Sequence, residues 1–177
     1  MRILALVAAF GAFCLYGCGA ATVNTSPASQ PTATNQPTAT PASVARLGDS
    51  VRVAGLATTL SIKLLAVSDP AKHYGSYNAP RSGRHYCAVK LAISNVGEAV
   101  YNDSPVNCCQ LIDTRDIGYS ASIFDEIGPG FGSVRIAPGA RRVGWVTFDL
   151  PDKAAPATLQ YTSDSGFADE TAQWELR

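Results

Sequence analysis

From Arg46 to Arg177 apolar residues recur at every second position in short runs separated by turn residues. Such alternation is the mark of half-buried β-strands. It predicts strands over 50–53, 58–67, 85–95, 109–113, 118–123, 132–136, 142–150, 158–162 and 173–176. In the clearest run Cys87, Val89, Leu91 and Ile93 share one face, and Tyr86, Ala88, Lys90 and Ala92 the other. In the next, Gly144, Val146, Phe148 and Leu150 alternate with Trp145, Thr147 and Asp149, and Pro151 is expected to stop pairing. Trp145 is a candidate to cover the core. No window sustains a helical period for three turns. Many short, regularly spaced strands predict an all-β antiparallel sandwich over residues 46–177.

The pattern before Arg46 differs. No charged residue stands between Arg2 and Arg46. Residues 3–16 are apolar apart from Gly11, shorter than the ~20 residues of a permanent membrane helix. A basic start, a short apolar run and small residues after it describe an export signal, residues 1–17. Leu15-Tyr16-Gly17-Cys18 resembles the lipobox of bacterial lipoproteins, in which the cysteine is lipidated and becomes the first mature residue. Lipidation at Cys18 would anchor the chain outside the cytoplasm, since each buried CH₂ contributes about 0.8 kcal/mol. The competing reading is cleavage after Ala20 or Ala21 and release. Residues 18–45 then hold the lipid site and a Pro/Thr-rich linker with Pro27, Pro31, Pro37 and Pro41. Such a stretch is too poor in apolar surface to fold by itself and is expected to be a disordered spacer.

Composition narrows function by exclusion. The 177 residues carry zero formal net charge and 16% charged residues. Without a basic excess, nucleic acid is not an expected partner. Only His73 and His85 could serve a catalytic triad, and no Gly-x-Ser-x-Gly elbow is present. Gly128–Gly132 precedes neither a helix nor a lysine, so no phosphate loop is expected. Asp125/Glu126 and Asp169/Glu170 are adjacent pairs, whose side chains diverge on a strand. A weak calcium site at Asp125 and Glu126 lacks EF-hand spacing. The expectation is a non-enzyme without a cofactor.

Three cysteines remain after the signal and the lipid site: Cys87, Cys108 and Cys109. Export favours disulfides. A vicinal bridge is strained, so Cys87 is expected to pair with one of the other two. Cys109 shares the parity of Leu111, which makes Cys87–Cys109 the preferred bridge over Cys87–Cys108, worth about 3 kcal/mol by loop closure. The alternative is a soft zinc or copper(I) site formed by His85, Cys87 and Cys108 or Cys109. No CxxC or HxxxH spacing supports it, and no metal is assigned.

The longest loop, 68–84, interleaves Asp69, Lys72, His73, Tyr74, Tyr77, Arg81 and Arg84. Tyrosine gives contact area at low entropic cost, and loops of this length are often functional. His73, Tyr74, Tyr77 and Arg81 are the candidate binding residues. Up-and-down strands are expected to gather this loop, the 113–116 turn and Arg141/Arg142 at one end.

Several motifs in order carry a family resemblance. They are Leu47-Gly48-Asp49-Ser50-Val51, the run 56–67, the strand ending Asn95-Val96-Gly97, Leu111-Ile112-Asp113 before Tyr119, Pro138-Gly139, and Gly144-Trp145-Val146-Thr147-Phe148. Together they resemble the small extracellular immunoglobulin-like (telokin-like) domain of unknown function found in many bacterial lipoproteins. The resemblance covers about residues 46–162. It implies a sandwich fold and an extracytoplasmic address, with no general activity to carry over; positions like Cys87 and Cys109 are usually apolar there. Independently, Asn95 and Gly97 suit left-handed backbone at a strand end, and Pro138-Gly139 suits the centre of a type II turn. The expected partners are the membrane, through the anchor, and a protein or envelope component; a small ligand or metal is the alternative. No pattern specifies an oligomeric state.

Overall fold

The computed structural model describes residues 44–72, 79–122 and 127–177. Two four-stranded antiparallel sheets enclose a common core. The first has the order β1 (Ser50–Ala54), β2 (Thr59–Ser68), β3 (Arg84–Asn95), β8 (Arg141–Pro151). The second has the order β10 (Thr171–Glu175), β9 (Pro156–Thr162), β5 (Cys109–Asp113), β6 (Gly118–Ser120). A short ribbon pairs β4 (Tyr101–Asp103) with β7 (Val134–Ile136), and one helical turn, α1 (Pro105–Cys108), leads into β5. The all-β sandwich expectation holds. Among the described residues no helix is long and apolar enough to cross a membrane.

Alternation explains the core. Leu60, Ile62 and Leu64 of β2, and Cys87, Val89, Leu91 and Ile93 of β3, are fully buried, as are Phe148, Leu150, Leu111, Leu159 and Tyr161. Removing any of the leucines would cost about 2–5 kcal/mol. Trp174 of β10 is also fully buried, and its indole N–H donates to the Asp49 carbonyl at 3.2 Å. Trp145 is not the core tryptophan. It lies half-buried on the outer face of β8, with Lys90 Nζ 5.7 Å from its ring centroid.

β3 is buried on both faces rather than one. Tyr86 and Ala88 on its second face join Ala71 and Ile127 in a separate apolar cluster against Trp145. The segment 127–131 makes this possible. Trp145 N–H donates to the Pro129 carbonyl, and Gly130 bridges Trp145 in parallel. Gly144 leaves room for Phe131, whose ring stands 3.0 Å from where a Cβ would lie.

Pro138-Gly139 forms the expected turn. Ala140 N–H donates to the Ala137 carbonyl, and Gly139 has φ 75°. Asn95 and Gly97 serve a different purpose from the one expected, since neither is among the positive-φ residues. Asn95 is buried; its amide accepts from Thr58 Oγ1 at 2.7 Å and donates to the Ala99 and Ile136 carbonyls. Gly97 is required by close approach: a Cβ there would lie 2.6 Å from the Thr59 nitrogen.

Candidate functional site

The register fixes what stands at each end of the sandwich. β3 begins at Arg84, opposite Pro151, and ends near Ser94, opposite Arg141. One end therefore carries the 68–84 connection and the 151–156 turn; the 113–117 turn joins it because Asp113 pairs with Pro156. Arg141 and Arg142 stand at the other end, contrary to expectation. β8 is eleven residues long, so at ~3.3 Å per residue its two termini are more than 30 Å apart.

At the first end the second residue of β3 is His85, whose partner across the ladder is Leu150. His85 Nε2 lies 2.9 Å from Asp69 Oδ1, and Nδ1 lies 3.9 Å from Asp152 Oδ1. The side chains are 18%, 28% and 61% exposed, in the order His85, Asp69, Asp152, so the imidazole forms a floor between two carboxylates open to solvent. With Pro70, Ala154 and Ala155 they line a cleft of about 380 Å³. Beside it the Arg84 guanidinium is committed to Asp149, through Nε–Oδ1 at 2.8 Å and a bond to the Asp149 carbonyl at 2.6 Å. The Asp69–Pro70 peptide is cis.

Of the residues singled out from the sequence, Arg81 is exposed, and its carbonyl accepts from Arg84 N–H. His73, Tyr74 and Tyr77 lie outside the described residues, as do Cys18, Asp125 and Glu126. Asp152 was missed. It is 67 positions from His85, and only the β3–β8 register brings the two together; the single local signal was the Pro151-Asp152-Lys153 turn.

The opposite end is also polar, but closed. Asp103 Oδ2 accepts from Tyr101 O–H at 3.0 Å, Cys108 S–H at 3.0 Å and Ser165 N–H at 2.8 Å. Asp103 Oδ1 accepts from Ser104 N–H at 2.7 Å and Ser165 O–H at 2.6 Å. The Tyr101 and Tyr161 hydroxyls meet at 2.8 Å. Burial alone would raise the Asp103 pKa, but the Cys108 thiol, the Ser165 hydroxyl and the two backbone N–H groups outweigh it and hold it below the usual carboxylate value. Asp164 and Ser165 both have positive φ, 56° and 54°. That conformation costs a non-glycine residue on the order of 1–3 kcal/mol. Asp103 holds Ser165 there, and Asp164 Oδ2 accepts from Leu56 N–H.

The preferred Cys87–Cys109 bridge is not formed; Cys87, Cys108 and Cys109 are all free and buried. Parity was right, since Cys87 and Cys109 both face the core. Position along the strands was the error. Cys87 sits two residues from His85, at the cleft end. Cys109 pairs with Tyr161, whose hydroxyl meets Tyr101 at the opposite end. A disulfide tolerates at most about 7 Å between Cα atoms. The same separation rules out a metal set drawn from His85, Cys87 and Cys108 or Cys109, and among the described residues no group of three His, Cys, Asp or Glu side chains could hold a metal ion. Burial, with the Asp69 charge adding to it, pushes the Cys87 thiol up to about 12. Burial and the bond to Asp103 do the same for Cys108. Thiols held protonated in this way are weak nucleophiles.

Residues 45–172 match the family model described as "Domain of unknown function (DUF4352)", and the chain belongs to that family. No curated protein sequence is similar enough to match. Among solved structures the chain is similar to MPT63, a secreted protein of Mycobacterium tuberculosis, with 17% identity and a TM-score of 0.54 over 75% of this chain and 95% of that one. It is similar to the yjhA protein of Bacillus subtilis, with 16% identity and a TM-score of 0.52 over 76% of this chain and 100% of that one. A third is ycdA of Bacillus subtilis, described as a candidate lipoprotein, with 15% identity and a TM-score of 0.56 over 75% of this chain but 38% of that one. At such identities the likeness is one of fold.

Proposed function

We propose that this family member is a lipoprotein anchored through Cys18 and facing outside the cytoplasm. Residues 1–17 are its signal and 18–45 its linker. Its immunoglobulin-like sandwich is a non-catalytic module that binds a protein or envelope component. The carrying observation is the open cleft between Asp69, His85 and Asp152 at the root of the longest loop. Binding residues concentrate on loops held by a rigid scaffold, and this loop supplies Arg81, with His73, Tyr74 and Tyr77. The export signal, the lipobox-like Leu15–Cys18 and the secreted or candidate-lipoprotein character of two fold relatives support the address.

The cleft also supports a second reading, a small-ligand site, because about 380 Å³ falls within the range of ligand pockets. Mass spectrometry of the mature chain tests the anchor, and cross-linking in the native cell tests the module. A diacylated or triacylated Cys18, with cross-linked species that vanish when Arg81 and Asp152 are both changed to alanine, is the expected result. An unmodified Cys18 in a cytosolic fraction would overturn the proposal.

A further inference from the structure

We propose that the cleft receives a primary ammonium group, held between His85 Nδ1 and the Asp152 carboxylate. The assignment rests on the reading of this cleft as a binding site and names its ligand chemistry. A carboxylate oxygen only accepts, so the 2.9 Å contact with Asp69 Oδ1 puts the ring proton on Nε2. In the neutral ring Nδ1 is then a lone pair. It faces Asp152 Oδ1, another acceptor, at 3.9 Å. In that neutral ring two acceptors at such spacing cannot satisfy each other, and the cleft opens over both.

A single donor atom fits the gap. A nitrogen at ~2.8 Å from each acceptor would see them at an angle of about 90°, within reach of two N–H bonds of one ammonium group. Charge agrees, because among the described residues the charged side chains lining the cleft are Asp69 and Asp152. One neighbouring cation, Arg84, is already paired with Asp149. Pro70, Ala154 and Ala155 supply apolar wall for the methylene stem behind such a group. A metal is the poorer occupant, since the described residues bring no third ligand to the gap. The source is a lysine side chain of a partner or a free amine.

The test titrates the full mature chain with the capped peptide Gly-Lys-Gly, its norleucine analogue, its trimethyllysine analogue and n-butylamine, following the His85 ring ¹⁵N signals by NMR. The lysine peptide is expected to saturate and to move Nδ1. The trimethylated peptide, which has no N–H to donate, and the Asp152→Asn protein should each bind about tenfold more weakly or worse. Butylamine binding as tightly as the peptide indicates a free amine, and tighter peptide binding a lysine of a partner. Equal binding of the norleucine peptide, or full affinity in Asp152→Asn, overturns the assignment. So does a His85 signal that no amine moves. Cross-linked partners that persist in Asp152→Asn alongside such a result would leave the binding module standing and remove only the ammonium site. Ammonium binding without any cross-linked partner would do the reverse.

Discussion

At one end of the sandwich Asp103 accepts five hydrogen bonds, from Tyr101, Ser104, Cys108 and twice from Ser165. At the other, Asp152 Oδ1 faces His85 Nδ1 across 3.9 Å. Both ends assemble acidic and hydrogen-bonding side chains from distant strands. The Asp103 network spends its donors and acceptors within the chain, and it fixes a turn that would otherwise be strained. The Asp152 side leaves an acceptor pair facing an open cleft. A satisfied network specifies structure, whereas acceptors left facing a cleft are groups an outside donor can use. Polar clustering alone therefore does not mark the binding end; unspent hydrogen-bonding capacity does.

The largest effect should come from breaking the closed end. Asp103→Ala leaves Tyr101, Cys108 and Ser165 without their acceptor and releases the positive-φ turn. The expected loss is about 3 kcal/mol in denaturant unfolding, with affinity at the cleft unchanged. A loss of cleft binding in the folded variant would mean that the two ends are coupled and that the comparison fails.

Acid should then report on the spent carboxylates. In Asp113, burial by itself would raise the pKa. The Arg115 guanidinium, the backbone N–H groups of Ile117 and Arg115 and the Tyr119 hydroxyl lower it to about 2. The Asp103 pKa is lowered too. For both, the unfolded chain takes up the proton before the folded chain does. Their stabilisation is complete above the ordinary carboxylate value near pH 4 and is lost as pH falls toward about 2. Unfolding followed by circular dichroism should show that acid limb. Asp103→Asn and Asp113→Asn should lower stability at neutral pH and flatten the limb.

These carboxylates also show where reading the residues in order succeeds. Period-two alternation located nine strands, and the fully buried face of β3 is the face that Cys87, Val89, Leu91 and Ile93 predicted. β4 went unseen because Tyr101-Asn102-Asp103 follows its one apolar residue with two polar ones and shows no alternation. The second buried face of β3 was hidden because its cover, Ala71 and Ile127, comes from loops. Longitudinal position was the deeper difficulty. Parity tells which face a side chain takes, but not how far along the sandwich it stands. Cys87 and Cys109 thus looked like neighbours across the core, and Arg141 looked like a neighbour of the 68–84 loop. Asp152 and His85 meet for the same reason in reverse, through a pairing that only the β3–β8 register establishes.

A smaller effect tests how far the closed end is a network rather than a single bond. Tyr161→Phe removes one hydroxyl from the 2.8 Å pair with Tyr101 and keeps the ring in the core. Tyr101 retains its bond to Asp103, so the cost should be about 1 kcal/mol. A cost as large as that of Asp103→Ala would place the organising role in the tyrosine pair.

The smallest stability effect belongs to the residue given the largest functional one. The Asp152 side chain is 61% exposed and none of its contacts is closer to His85 than 3.9 Å, while its backbone N–H is held by the Gly83 carbonyl whatever side chain it bears. Asp152→Asn should therefore change unfolding free energy by no more than about 0.5 kcal/mol. Stability measured in the same preparation as amine binding keeps the two readouts apart. A change of 2 kcal/mol or more would show that the Asp152 carboxylate is spent on folding after all. The contrast between a closed and an open end would then disappear, because Asp152 would be doing at the cleft what Asp103 does opposite.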